Sequence, residues 1–247
     1  MALRSSVTVG GVTAEPEDVL VFDGSAFSLL FDGSDVGVGA FSVDGFSQLP
    51  DGSLLLSFTV AGSVPGITVT VDDSDLVRFV PTSLGNNTAG VFSLYFDGSD
   101  VGLTLNSEDV DAMELLPDGR LLLSTTDIYS VPGVSGDDED ALAFTPTALG
   151  DVTSGTWSLY FDGSDVGLDG GTSEDVDALA IDSVGRIYLS TLGNFSVPGL
   201  AGADEDVFVF TPSLTGSATA GTYDSVLFFD GSLFGLAAND VYAIDLP

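Results

Sequence analysis

An eleven-residue stretch, Ser93-Leu94-Tyr95-Phe96-Asp97-Gly98-Ser99-Asp100-Val101-Gly102-Leu103, returns unchanged from Ser158 to Leu168. A shorter copy begins at Phe31, and a diverged one, Phe-Asp-Gly-Ser-Leu-Phe-Gly-Leu, begins at Phe229. The starts at Phe31, Phe96, Phe161 and Phe229 are 65, 65 and 68 residues apart. A fixed period of this length constrains the fold more than any local propensity. Each unit is one supersecondary element that buries its faces only against its neighbours.

Within a unit the pattern is that of short strands. Glu108 to Leu116 reads as a strand closed by the turn Pro117-Asp118-Gly119, and Arg120 to Thr126 is its hairpin partner. A loop through Val131-Pro132-Gly133 and the acid run Asp137-Asp138-Glu139-Asp140 leads to a third strand, Ala141 to Thr145. Pro146 stops that strand because it has no N–H for the ladder. Trp157 to Phe161 is the fourth strand. The unit before it matches at 41–49, 53–59, 76–80 and 91–96, and the unit after it at 174–181, 186–191, 207–210 and 223–229. No window has a sustained 3.6-residue period, so helix is at most minor.

The ends complete the pattern. Asn239 to Leu246 matches only a first strand, while Arg4–Val9, Glu17–Phe22 and Phe27–Phe31 supply a second, third and fourth. A unit assembled from both ends closes a ring and removes free edges. The expectation is an all-β, four-bladed β-propeller of ~65-residue four-stranded blades, closed by a composite blade. It forms a single domain over residues 1–247, with blades over roughly 40–103, 104–168, 169–236, and 237–247 joined to 1–39. The strand order resembles the β-propeller superfamily, and the ring size resembles haemopexin-like domains in architecture only, because with no cysteine the terminal disulfide such domains commonly carry is impossible. The WD dipeptide with its Gly-His partner and the double glycine of kelch blades are absent. Asp118-Gly119-Arg120 is the nearest approach to an Asp-box. Leu121-Leu122-Leu123, Phe144 and Trp157 are the expected packing residues between blades.

Charge narrows the partners. There are 38 acids and 4 basic residues, all arginine, for a formal net charge of −34, with no histidine. Nucleic acid and anionic membrane surfaces both require a cationic face, so neither is an expected partner. No apolar run reaches the ~20 residues of a membrane span. The first residues lack the apolar segment of a signal peptide, so either the protein is not exported or the chain begins inside a longer precursor. Such a charge opposes compaction unless cations screen or bind it. An extracellular or cell-surface medium with millimolar divalent cations would supply them, and so would the cytoplasm of a halophile.

The acids recur in clusters: Asp97 with Asp100 (Asp162 with Asp165 in the next copy); Glu108, Asp109 and Asp111 (Glu174, Asp175 and Asp177); and the run Asp137–Asp140. Ca2+ binds six to eight oxygens on flexible turns, and the ten acids of the first two groups are the candidate ligands, the glycine turn converging with the strand start about ten residues on. The spacing is neither an EF-hand nor an RTX repeat. An aspartate in a glycine turn also forms an Asx-turn with no metal present. Asp44, Asp111, Asp177 and Tyr242 fall at matching first-strand positions, where a four-fold ring could hold a cation on its axis. Arg120, Arg186 and, by the closure alignment, Arg4 start second strands, with Ser53 in that place in the remaining blade, and ion pairs at the hairpin turn are expected there.

Catalysis is thinly supplied. Without His, Cys or Lys there is no Ser-His-Asp triad, thiol nucleophile or Schiff base, which leaves carboxylate chemistry. The expected function is a non-catalytic acidic binding or structural module, stabilised by Ca2+, with a glycan or protein ligand, acting as a monomer or within a larger chain. The alternatives are a carboxylate-dependent glycan hydrolase or Ca2+-assisted hydrolase, and a repeat protein with no evolved ligand.

Overall fold

The computed structural model describes residues 1–246 and contains four antiparallel four-stranded sheets in a ring, with no α-helix among them. Blade one is Val43–Gln48, Leu54–Phe58, Leu76–Ser83 and Ala89–Phe96; blade two is Val110–Leu115, Leu121–Thr125, Ala141–Ala148 and Ser154–Phe161. Blade three is Ala178–Ile181, Ile187–Ser190, Phe208–Leu214 and Ala220–Tyr223. Blade four is composite: Val241–Ala243 pairs with Ala2–Leu3, which pairs with Val19–Phe22 and so to Phe27–Phe31. The fold is therefore the four-bladed propeller that the repeat predicts, and the four first strands lie together around its axis.

The repeated motif is the joint between blades. Its phenylalanine, which ends a fourth strand at Phe31, Phe96 and Phe161 and lies beyond one at Phe229, meets a third-strand phenylalanine of the next blade edge-on. The centroid distances are 5.2 Å for Phe31–Phe79, 5.2 Å for Phe96–Phe144, 5.5 Å for Phe161–Phe210 and 5.3 Å for Phe229–Phe22. Such pairs are worth about 0.5–1.5 kcal/mol beyond the area they bury. Trp157 packs on Phe144 of its own blade at 4.7 Å and meets Phe96 of the preceding blade edge-on at 6.2 Å, the contact between blades expected of it. The motif aspartate donates its N–H to a threonine hydroxyl of the next blade (Asp32 to Thr88, Asp97 to Thr153, Asp162 to Thr219), each at 2.9 Å. The motif glycine donates its N–H to an aspartate of its own blade's acid run, Gly98 to Asp75 and Gly163 to Asp140. It has no room for a side chain: a Cβ on Gly163 would lie 2.4 Å from the Glu139 carbonyl oxygen.

Three local expectations change. The second strand of blade four is Ala2–Leu3, not Arg4–Val9; Val7–Val9 instead pairs with Val12–Ala14 in an additional hairpin. Blades two and three carry the same hairpin, Tyr129–Val131 with Val134–Gly136 and Phe195–Val197 with Leu200–Gly202. These segments are more than loop because alternate residues are buried: Tyr129, Val131, Phe195 and Val197 enter the core, and Phe195 stacks on Phe208 at 4.0 Å. The fourth strand of blade three stops at Tyr223, because six positions separate Tyr223 from Phe229 where four separate Trp157 from Phe161. The two extra residues bulge outward, exposing Val226 and Phe228.

Replacing Gly163 with alanine is expected to destabilise the protein by about 1–3 kcal/mol through overpacking. Ser164→Ala, one residue on and exposed, should stay within about 0.5 kcal/mol of the parent. Chemical denaturation of both variants checks this, and equal midpoints would remove the close-packing account of the glycine.

Candidate functional site

The first strands place three aspartates around the axis, farther apart than the 4.8 Å between oxygens that direct ligation of one ion requires of all three. Asp44, Asp111 and Asp177 hold one position in blades one, two and three, and each is 1% exposed. At Asp44 and Asp111 the ladder to the second strand slips by one residue, which frees the side chain from the regular alternation. Ser57 Oγ donates to Asp44 Oδ1 at 2.6 Å. The other five oxygens of the ring, Asp44 Oδ2 and both of Asp111 and of Asp177, are buried and accept no hydrogen bond. Ser124 Oγ, which holds in blade two the place of Ser57, is also buried without a partner, whereas Ser190 donates to the Asp206 carbonyl at 2.9 Å. Blade four has Tyr242 and Ala2 where the others have Asp and Ser.

Among the described residues, no arginine pairs with the carboxylates of this ring. Arg78, Arg120 and Arg186 pair with Asp51, Asp118 and Asp182 in the turns between first and second strands. The expected ion pairs thus form at Arg120 and Arg186, while Arg78 reaches the same turn from the third strand of blade one, where Ser53 stands in place of arginine. Arg4 is elsewhere. It follows the second strand rather than starting it, pairs with Asp240 at 3.4 Å, and lies over the Tyr242 ring at 5.2 Å. Burial pushes the Asp44, Asp111 and Asp177 carboxyls well above the usual carboxylate range. Negative neighbours add to this: Asp109 and Asp73 act on Asp44; Asp175, Asp109 and Asp44 on Asp111; Asp240, Asp111 and Asp175 on Asp177. Leaving even one such carboxylate ionised and unpaired costs several kcal/mol. The ring is therefore a place that must take up cations or protons.

The ten candidate ligands separate into groups with different surroundings. Asp97 and Asp162 are tied up in Asx-turns, accepting from the hydroxyls of Ser99 and Ser164 and from the N–H groups of Asp100 and Asp165. Asp100 also accepts from the Thr153 N–H of the next blade at 2.8 Å. Glu108 is saturated by backbone, with Thr104, Leu105 and Ser130 donating at 2.7, 3.0 and 3.0 Å, and Glu174 likewise by Asp169, Gly170 and Ser196. Asp111 and Asp177 face the axis cluster. Asp109 and Asp175 lie beside it, each with one buried unpartnered oxygen and a pKa pushed up to about 8, chiefly by burial. The glycine turn and the strand start do not form one site: the turn acids bond within the turn or to the next blade's last hairpin, whereas Asp109 faces Asp73 and Asp72 of the preceding blade. Sequence reading also passed over Glu114, whose Oε2 is buried without a partner and whose pKa is pushed up to about 8 by burial and by Asp245. Its place three residues after Asp111, on a strand whose other residues are apolar, was the available signal.

No family model matches the chain, and no curated protein matches it. Among solved structures it is similar to the PQQ-bound form of aldose sugar dehydrogenase (Adh) from Streptomyces coelicolor. The identity is 12%, the match covers 83% of this chain and 84% of that one, and the TM-score is 0.37. The expectation of a non-catalytic module is corrected by this finding: the protein found is an enzyme, so the label is dropped. At such identity and TM-score the likeness carries no activity, substrate or cofactor over to this chain.

The raised pKa values fix the sign of the pH dependence. An aspartate that titrates near 3.9 when unfolded and at about 8 when folded, as Asp109 and Asp175 do, makes the native state hold more protons between those values. Its stabilising effect is complete below about pH 4 and is lost as pH rises through 8. With chelator present, the thermal midpoint should be higher at pH 5 than at pH 8. A midpoint that climbs over this interval would contradict the placement of these acids.

Proposed function

We propose that this chain is a cation-dependent propeller that holds a divalent cation on its axis between Asp44, Asp111 and Asp177, in part through water, since the three do not all come within 4.8 Å of one another. The five buried carboxylate oxygens without hydrogen-bond donors carry this reading. An all-oxygen set of anionic ligands suits a hard cation, and no cysteine or histidine is present to select a softer one. Ca2+ accepts six to eight oxygens at 2.3–2.6 Å in irregular geometry, while Mg2+ demands a near-ideal octahedron and retains its waters. Three blades that each contribute a carboxylate favour the larger, more tolerant ion. Ser124 Oγ and water are available for the remaining positions. Bound there, the cation would neutralise the axis and tie three blades to one another. A site of this kind fits the millimolar Ca2+ of an extracellular or cell-surface setting, which is part of the proposal. Protonation is the competing way to neutralise the ring.

Ca2+ at about a hundred times its Kd contributes about 2.7 kcal/mol to stability. For a chain of this size that raises Tm by roughly 5–10 °C. The expected result at pH 8 is such a rise over a chelated sample, with NaCl of equal ionic strength giving much less. Asp177→Asn, which keeps the shape and removes the charge, should raise Tm in chelator and shrink the Ca2+ increment to that of NaCl. An increment of full size in that variant, or equal effects of the two salts on the parent, would reject the axial site.

A further inference from the structure

Four positions in the ring are equivalent by a shared backbone bond, in which the residue two before each axial position faces the acid run of the preceding blade. The N–H groups of Val43, Val110, Val176 and Val241 donate to the carbonyls of Pro16, Asp73, Asp138 and Asp204, respectively. The facing pairs at these junctions are accordingly Ser42 with Pro16, Asp109 with Asp73, Asp175 with Asp138, and Asp240 with Asp204. At one junction the two facing residues are themselves uncharged, with Glu15 and Glu17 flanking Pro16. One is acidic on both sides and carries Arg4, whose guanidinium sits 3.4 Å from Asp240. The other two are acidic on both sides with no arginine. Across the four, a pair of facing carboxylates therefore occurs either with a cation supplied by the chain or with none.

The junction between blades two and three is the most developed of the unsupplied pair. Asp175 is 1% exposed and its Oδ1 accepts no hydrogen bond. Across the junction, Asp137, Asp138 and Glu139 each place a carboxylate oxygen within 4.8 Å of the others, and Asp175 stands outside that group. Asp127 adds a further negative neighbour. We infer that a divalent cation, Ca2+ by the same ligand chemistry, binds at this junction on the Asp137–Glu139 run with Asp175 as the buried negative charge beside it, and that Arg4 is the chain's own replacement for that cation at the next junction. Asp109, with Asp72 and Asp73, forms the corresponding weaker site one junction earlier, where the aspartate is only half-buried. These sites are separate from the axial ring: they use the flanking aspartates and acid runs rather than Asp44, Asp111 and Asp177.

The equivalence supplies its own test, because it also says where an arginine would have to stand. Arg4 donates its N–H to the Asp240 carbonyl as Leu192 does to Asp175 and Thr126 to Asp109. Calorimetric titration of Ca2+ into chelator-stripped protein gives the number of ions bound, and Tm in chelator reports the cost of the unneutralised junction. Leu192→Arg is expected to lower the Ca2+ count by one and to raise Tm in chelator at low salt. Asp138→Asn, on the outer side of the junction, should lower the count by one without supplying a charge. An unchanged count in both variants overturns the inference, and so does a lowered count in Leu192→Arg alone, since that would mark the arginine as a steric disturbance. Asp111→Asn, measured alongside, separates this site from the axial one: loss of an ion there but not in the junction variants leaves only the axial reading, and the reverse leaves only the junction.

Discussion

Edge-to-face packing of each motif phenylalanine on the third strand of the next blade sets the angle at which blades meet, and much else is a consequence of that angle. With four blades the ring is small, so the first strands crowd the axis and their side chains have no solvent to retreat to. The positions that a wider ring would leave wet are here held at about the exposure of the aliphatic core. Where those positions carry aspartate, geometry that is favourable for the apolar residues becomes costly for the charged ones. Apolar burial closes the ring and, in the same step, concentrates negative charge within it.

The placement of the four arginines can be understood against this cost. Three pair with acids in the turns between first and second strands, where solvent already screens the charge and a pair is worth roughly 0–1 kcal/mol. Those arginines do nothing for the axis. Arg4 alone reaches a buried acid, and it does so at the seam where the two ends of the chain pair. Blade four is also the blade in which the axial aspartate and its serine are both exchanged, for Tyr242 and Ala2. The composite blade thus departs from the repeat in the direction of less uncompensated charge at each point where charge would bear on closure.

The period and the matching of both ends made the ring legible from sequence, because strand order survives even when individual strands are short. The additional hairpins were less so. Val131-Pro132-Gly133 marks a turn, but the three-residue strands on either side fall below the length at which alternation is recognisable, and only their buried partners reveal them. Misplacing Arg4 had the same origin: a two-residue strand, Ala2–Leu3, left the alignment free to slide along the more regular Val7–Val9. Of the candidate ligands, sequence could group the acids but not rank them. Glu108 and Asp109 are neighbours in the chain, yet one is saturated by three backbone N–H groups and the other has none on its buried oxygen. That difference depends on which way the backbone turns, and no spacing rule encodes it.

The seam of the composite blade has a kinetic side. Val241–Ala243 and Ala2–Leu3 stand almost the whole chain apart in sequence, and bringing such ends together costs roughly 5 kcal/mol of loop entropy by the logarithmic rule. Only a few residues form that ladder. Blades one to three are built from contiguous segments and can assemble before closure, so the last event in folding and the first in unfolding fall at the same joint. The ring therefore behaves as a bracelet with one clasp: its lifetime in the closed form is set there, largely independent of how well the other three blades are packed.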